Sequence, residues 1–156
     1  MSSLKKIIWI SLYLAFHLLI LSEARTSLFK YQIGGIREYA VNSNSELTIN
    51  RIDTRIIDFD YPKKIDSAEK VWTYKIPFGF FFLLGIIGMI LVGSDRRYYI
   101  VLLTAHFVVL LLASLVFYLS INVNTWLLVI NDLLTRYFIP VISIGAVAFA
   151  LLEKRE

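Results

Sequence analysis

A chain of 156 residues that is 58% hydrophobic, 15% aromatic and 18% charged departs from ordinary soluble domains, which run at roughly 45–50% apolar and about 25% charged. Its 16 Lys and Arg against 12 Asp and Glu leave a formal charge of +4, a surplus that suits a polyanion, an anionic membrane surface or the sorting of loops across a bilayer. The absence of cysteine excludes disulfides, zinc thiolate centres and thiol nucleophiles.

Residues 7–21 form the first long uncharged apolar run, preceded by Lys5 and Lys6. Two readings compete for it. One is a retained membrane helix, supported by the bulky Trp9 and Tyr13 and by His17 within the run. The other is a cleaved signal peptide, supported by the basic start, the apolar centre and Ser22-Glu23-Ala24, which approximates the small-x-small cleavage pattern. The segment 22–75 follows, with nine basic and eight acidic residues. Gly34-Gly35, the run 41–45 and Tyr61-Pro62 read as turns there. The β-branched stretches 36–41 and 47–59 read as two short strands, with Ser67 opening a helical approach to the next span. So small a segment buries little apolar area by itself, which predicts a cap on the helices or a surface completed by another protein.

Three further apolar runs follow, at 76–92, 98–121 and 133–152. A hydrocarbon core of roughly 30 Å needs about 20 helical residues, so the chain is expected to be an all-α integral membrane protein with four transmembrane helices. The basic residues test the arrangement, because Lys and Arg collect in short cytoplasmic segments. Lys5 and Lys6 precede the first run, Arg96 and Arg97 separate the second from the third, and Lys154 and Arg155 follow the fourth. On a four-span path all six share one side. Both termini are therefore expected in the cytoplasm, with the stretch of about 54 residues at 22–75 outside, where its length lets it cross regardless of charge. Trp72, Tyr74, Tyr98, Tyr99, Tyr118 and Trp126 fall near the expected span ends, as interfacial aromatics do. With its basic residues assigned to orientation and no basic soluble domain left over, nucleic-acid binding is not expected.

Ionisable residues inside spans are candidates for function, and these are His17, His106, Arg136 and the adjacent Asp132. Asp132 and Arg136 lie four apart, on one helical face, with the acid on the N-terminal side. Pro140 has no N–H for the Arg136 carbonyl, which predicts a polar kink there. His17 and His106 reach similar depths at helical rise, fitting either a proton relay or hydrogen bonds between helices. No metal-ligand spacing, phosphate loop or nucleophile motif is present, so no metal, cofactor or catalytic residue is expected; the alternative reading is a small transporter or intramembrane enzyme that uses His17, His106 and the Asp132/Arg136 pair. Gly79, Gly85 and Gly88 in the second run, and Gly145, Ala146, Ala148 and Ala150 in the fourth, predict close helix packing.

One span, an outer segment and three closely spaced spans resemble the layout of claudin-like proteins, but that family's cysteine pair is missing here. Small multidrug transporters are similar in size, yet the carboxylate of their first span has no counterpart in residues 7–21. In size, span number and the basic turn Gly93-Ser94-Asp95-Arg96-Arg97 before Tyr98-Tyr99, the chain resembles small accessory membrane proteins that accompany bacterial exosortases. The exosortase itself needs a catalytic cysteine. The resemblance therefore implies a partner role, with the lipid bilayer, a membrane or envelope protein or a second copy as partner, in a bacterial inner membrane.

Overall fold

The computed structural model describes the backbone of residues 2–42, 48–52, 56–60, 71–123 and 127–154, and the side chains of 2–32, 76–120, 123 and 127–154. It is a helical bundle with a small sheet at one end. The chain starts with α1 (Ser3–Phe16), a π-helical turn (His17–Leu21) and α2 (Ser22–Asn42) in one unbroken helical path. Three strands follow, β1 (Thr48–Ile52), β2 (Ile56–Asp60) and β3 (Val71–Lys75). Then come α3 (Phe80–Val92), α4 (Arg96–Asn122), α5 (Leu127–Leu133), a second π-helical turn (Leu134–Phe138) and α6 (Ile139–Glu153).

Three of these helical paths, Ser3–Gln32, Arg96–Ser120 and Leu127–Glu153, are long and apolar enough to cross a membrane. Their outer faces carry exposed large apolar residues such as Trp9, Leu19, Val108, Ile144 and Phe149, which suits a hydrocarbon solvent and not water. Inward faces recur at spacings of three and four. On the first path they include Lys6, Ile10, Tyr13, His17, Leu21, Arg25, Phe29 and Gln32. On α4 the buried stripe is Leu102, His106, Val109, Ala113, Phe117 and Ser120, and on the last path Leu128, Asn131, Thr135, Ile139, Ser143 and Ala150.

Residues 22–42 correct the sequence reading, which ended the helix at Leu21 and placed a turn at Gly34-Gly35 and a strand at 36–41. All of them are helical. Helix nucleation is the costly step, and a helix already formed extends cheaply. The glycine pair weakens it by about 1 kcal/mol per residue relative to alanine without stopping it. The 47–59 stretch carries β1 and β2, an antiparallel pair with a bulge between Ile49 and Arg51. β3 is a strand where a helical approach was expected, and pairs antiparallel to β2 from Ile56↔Lys75 to Asp60↔Val71. Among the described residues the sheet order is β1-β2-β3, and β3 lies against α5 and the second π-turn. Ser67 and Tyr61-Pro62 lie outside the described residues, as do Trp126 and Arg155.

The second correction concerns 76–92. Only Phe80–Val92 is helical, 13 residues or about 20 Å at helical rise, so this segment alone does not span about 30 Å as a helix. Ile76, Pro77 and Phe78 are non-helical and buried. The last path starts earlier than expected, at Leu127.

α3 ends at Gly93, whose φ of 70° is the left-handed conformation glycine adopts without steric cost. Its N–H reaches Ile90 O at 3.1 Å while Ser94 N–H reaches Met89 O at 3.0 Å, the paired bonds of a Schellman ending. The side-chain amines of Lys6 and Lys154 then donate to Leu91 O and Val92 O, two carbonyls that the helix leaves open. Arg97 pairs with Glu153, and the Tyr98 hydroxyl donates to the same carboxylate. Lys6, Arg97 and Lys154 thus gather at one end of the bundle. The sheet sits against the start of the last path, which ends in Lys154.

Candidate functional site

Gly85 and Gly88 allow α3 to lie directly on α6. A Cβ at Gly88 would stand 2.9 Å from Val147 Cγ2, and one at Gly85 would stand 3.0 Å from Leu102 Cδ2 and 3.5 Å from Ser143 Cβ. This close approach brings α3, α4 and α6 together around His106, which is fully buried. Of the other expected packing glycines, Gly79 would place a Cβ 3.1 Å from Arg25 Nη2, while Gly145 has open space where a Cβ would be.

His106 Nδ1 lies 2.9 Å from Leu102 O, one turn earlier. A carbonyl only accepts, so Nδ1 carries the proton, and in the neutral ring Nε2 is an acceptor. Ser143 Oγ is 3.2 Å from that Nε2 and 2.9 Å from Ile139 O. The hydroxyl has one proton for these two acceptors, so it alternates between tying α6 to α4 and bonding back to its own helix. Phe82 and Phe78 enclose the imidazole, with ring centroids 4.8 and 5.7 Å away. His106 therefore joins three helices. Among the described residues, none of its hydrogen bonds or ring contacts is with His17, Asp132 or Arg136.

Phe78 reaches the imidazole through an unusual backbone, with φ at 64°, a strained value for a bulky side chain. The non-helical segment containing it is held by Arg25 of α2, whose Nε donates to Pro77 O and whose Nη2 donates to Ile76 O, both at 2.9 Å. Non-helical backbone in a membrane protein is tolerated where it is buried in protein and its polar groups find partners; here Ile76, Pro77 and Phe78 are buried and the first two carbonyls are bonded by Arg25. Lys6 and Arg25 are separated by about 28 Å of helix, and they grip α3's segment near its two ends, at Leu91 and at Ile76 and Pro77.

A second buried polar cluster lies on the last path. Asn131, 1% exposed, donates from Nδ2 to Ala113 O at 2.8 Å, and Thr135 donates to Asn131 O at 3.0 Å. The Asn131 Oδ1 is buried without a hydrogen-bond partner among the described residues. Asp132 and Arg136 form the ion pair that their spacing predicts, at 3.7 Å, with the Arg136 side chain 60% exposed and its guanidinium near the Tyr137 ring. At Pro140 the ladder widens into the π-helical turn Leu134–Phe138, with Ile139 N–H on Leu134 O. The missing proline N–H accounts for it.

His17 is buried in the first π-turn, where Ser22 N–H bonds His17 O, and its ring lies 5.9 Å from that of Tyr13. Of the expected interface aromatics, Tyr118 is exposed on α4, Tyr98 and Tyr99 open α4, and Trp72 and Tyr74 lie on β3. Lys5 and Arg96 are exposed at the end where Lys6 and Lys154 cap α3. Among the described residues there is no group of three or more His, Cys, Asp or Glu able to hold a metal ion. Comparison of the chain with family models, with curated proteins and with solved structures finds no match.

Reading the sequence missed Arg25, Ser143, Asn131 and the capping role of Lys6 and Lys154. The polar trio Asn131, Thr135 and Ser143 carried a usable signal: spacings of four and eight put them on one face of an otherwise apolar helix. Nothing local marked Arg25, whose partners lie 51 and 52 residues away.

Proposed function

We propose that this is a multi-pass protein of a bacterial inner membrane, with four membrane segments and both termini in the cytoplasm, that acts as a non-enzymatic accessory of a partner membrane or envelope protein. Residues 22–75 face the outside in this reading. The 76–92 segment reaches across through its buried lead-in as well as α3. The gathering of Lys6, Arg97 and Lys154 at one end supports the orientation, since basic residues collect on the cytoplasmic side.

The observation that carries the accessory reading is how the buried polar groups are used. His106, Ser143 and Asn131 bond neighbouring helices or their own backbone, as polar groups that fasten membrane helices do. Among the described residues, the hydrogen bonds and ring contacts of His106 are with Leu102, Ser143, Phe78 and Phe82, which tie helices together and do not lead toward His17 or Asp132. What remains for function is the outer end, where α2 continues to Asn42 and the three-stranded sheet follows. An export or processing system of the exosortase kind is the proposed setting, and a second copy of the chain is the other partner that the outer segment would suit.

Two experiments test this. Alkaline phosphatase fused within 43–70 should be active, and fluorescent protein fused at either terminus should fluoresce, as expected for a cytoplasmic location. Purification in mild detergent from the native host should yield a stoichiometric membrane-protein partner or a defined homo-oligomer. A lone monomer, together with no phenotype on deleting 43–70, would contradict the accessory reading.

A further inference from the structure

Local preference and tertiary structure disagree at the start of α3. Proline suits the first position of a helix, because its φ is already helical and its missing N–H would have no partner there. A helix begun at Pro77 would let the Phe80 and Phe81 N–H groups bond Ile76 O and Pro77 O at the ordinary spacing. The observed helix begins at Phe80 instead, and its first internal bond is Leu83 N–H to Gly79 O at 3.1 Å. Phe78 is left at φ 64°. The two carbonyls that Phe80 and Phe81 would have used accept from Arg25, at 2.9 Å each. Arg25 therefore occupies the two carbonyls that α3's own amides would use.

We propose that Ile76–Gly79 is a two-state element, a break that closes into one more turn of α3, and that the Arg25 guanidinium is the lock that keeps it open. Each state satisfies a different set of groups. Open, the carbonyls of Ile76 and Pro77 are satisfied by Arg25, the Phe78 backbone is strained, and the first amides of α3 lack helical partners. Closed, the backbone is relaxed and those amides are bonded, while Arg25 loses both acceptors and Phe78 leaves the rings of Phe82 and His106. Elements with two competing arrangements of this kind are what conformational transitions use. β3 ends at Lys75, one residue before the break, so closing the turn shortens the connection and draws the sheet toward the bundle. Whatever docks on the sheet is thereby linked to the packing around His106.

The test uses the full chain in lipid nanodiscs with phenylalanine labelled by 13C and 15N. In the unaltered protein the Phe78 Cα resonance is expected outside the right-handed helical range. In Arg25→Gln it should move into that range, and the Phe80 and Phe81 amides should exchange about tenfold more slowly, as newly bonded amides do. Gly79→Ala should act in the same direction without removing a donor, since its Cβ would stand 3.1 Å from Arg25 Nη2 and alanine favours helix. A helical Phe78 in the unaltered protein overturns the proposal. So does an unchanged resonance and exchange rate in both variants. If Arg25→Gln does not fold, Gly79→Ala alone decides: movement toward helix supports the lock, and no movement overturns it.

Discussion

Replacing Gly88 by alanine should loosen the α3–α6 contact that positions Ser143 against His106. The added Cβ would stand 2.9 Å from Val147 Cγ2 and 3.2 Å from its Cγ1, well inside the roughly 3.5–4.0 Å at which carbon atoms attract. Valine in a helix is nearly confined to one χ1 rotamer, so it cannot swing aside and the helices must separate. Overpacking of this kind costs about 1–3 kcal/mol, while exchanging glycine for alanine within a helix returns up to about 1 kcal/mol. With the full return the net loss should be about 0–2 kcal/mol, read as a shift in a reversible unfolding titration in detergent micelles. Gly145→Ala is the control, because nothing lies within 4 Å of its Cβ position, and it should be neutral or stabilising. Adding Val147→Ala to Gly88→Ala removes the methyls that clash, so the double variant should recover at least about 1 kcal/mol beyond additivity. Equal losses at Gly88 and Gly145, or no coupling to Val147, would refute the reasoning.

The imidazole contact makes its own prediction. Ser143→Ala leaves the buried Nε2 of His106 without a partner and should cost about 1–3 kcal/mol, and the same substitution should cost less than half as much in a His106→Leu background, measured by the same titration. At the opposite end of α3, Lys6→Met and Lys154→Met each remove a cation from the helix C-terminus and should lower stability by about 0.3–1 kcal/mol. Molar salt should shrink both losses, and a salt-independent loss of several kcal/mol would show that these lysines do something other than cap exposed carbonyls.

The apolar runs made the number and rough position of the helical paths legible, because a bilayer imposes a length that few other environments demand. What failed was local. Residues 36–41 looked like a strand because β-branched propensity was read in isolation, whereas a helix already formed at Ser3 extends through them. Residues 76–92 looked like one helix because hydropathy does not register a backbone break. Pro77 and Gly79 were visible, but proline near a helix start is compatible with an unbroken helix. The bonds from Arg25 to Ile76 O and Pro77 O, 51 and 52 residues away, have no local signal in the run.

The site shows the same division. The Asp132–Arg136 pair followed from helical spacing, because it is a property of a single helix, whereas the histidines were legible only as polar groups within apolar runs. Their partners were not accessible in that way. His106 meets Ser143 37 residues later, through a contact that exists only because Gly85 and Gly88 let two helices touch. A charge count placed Arg25 among nine basic residues of an outer segment, where it carried no distinction. Its neighbours change its meaning: on the buried face of a continuous helix, beside two carbonyls that α3 fails to use, the same guanidinium controls where a helix starts. Backbone polar groups in a membrane bundle must find partners, so what matters in such a sequence is which backbone groups are left open, and by which residue. In this chain the break at Phe78 and Gly79 leaves two carbonyls open, and Arg25 is placed to take both.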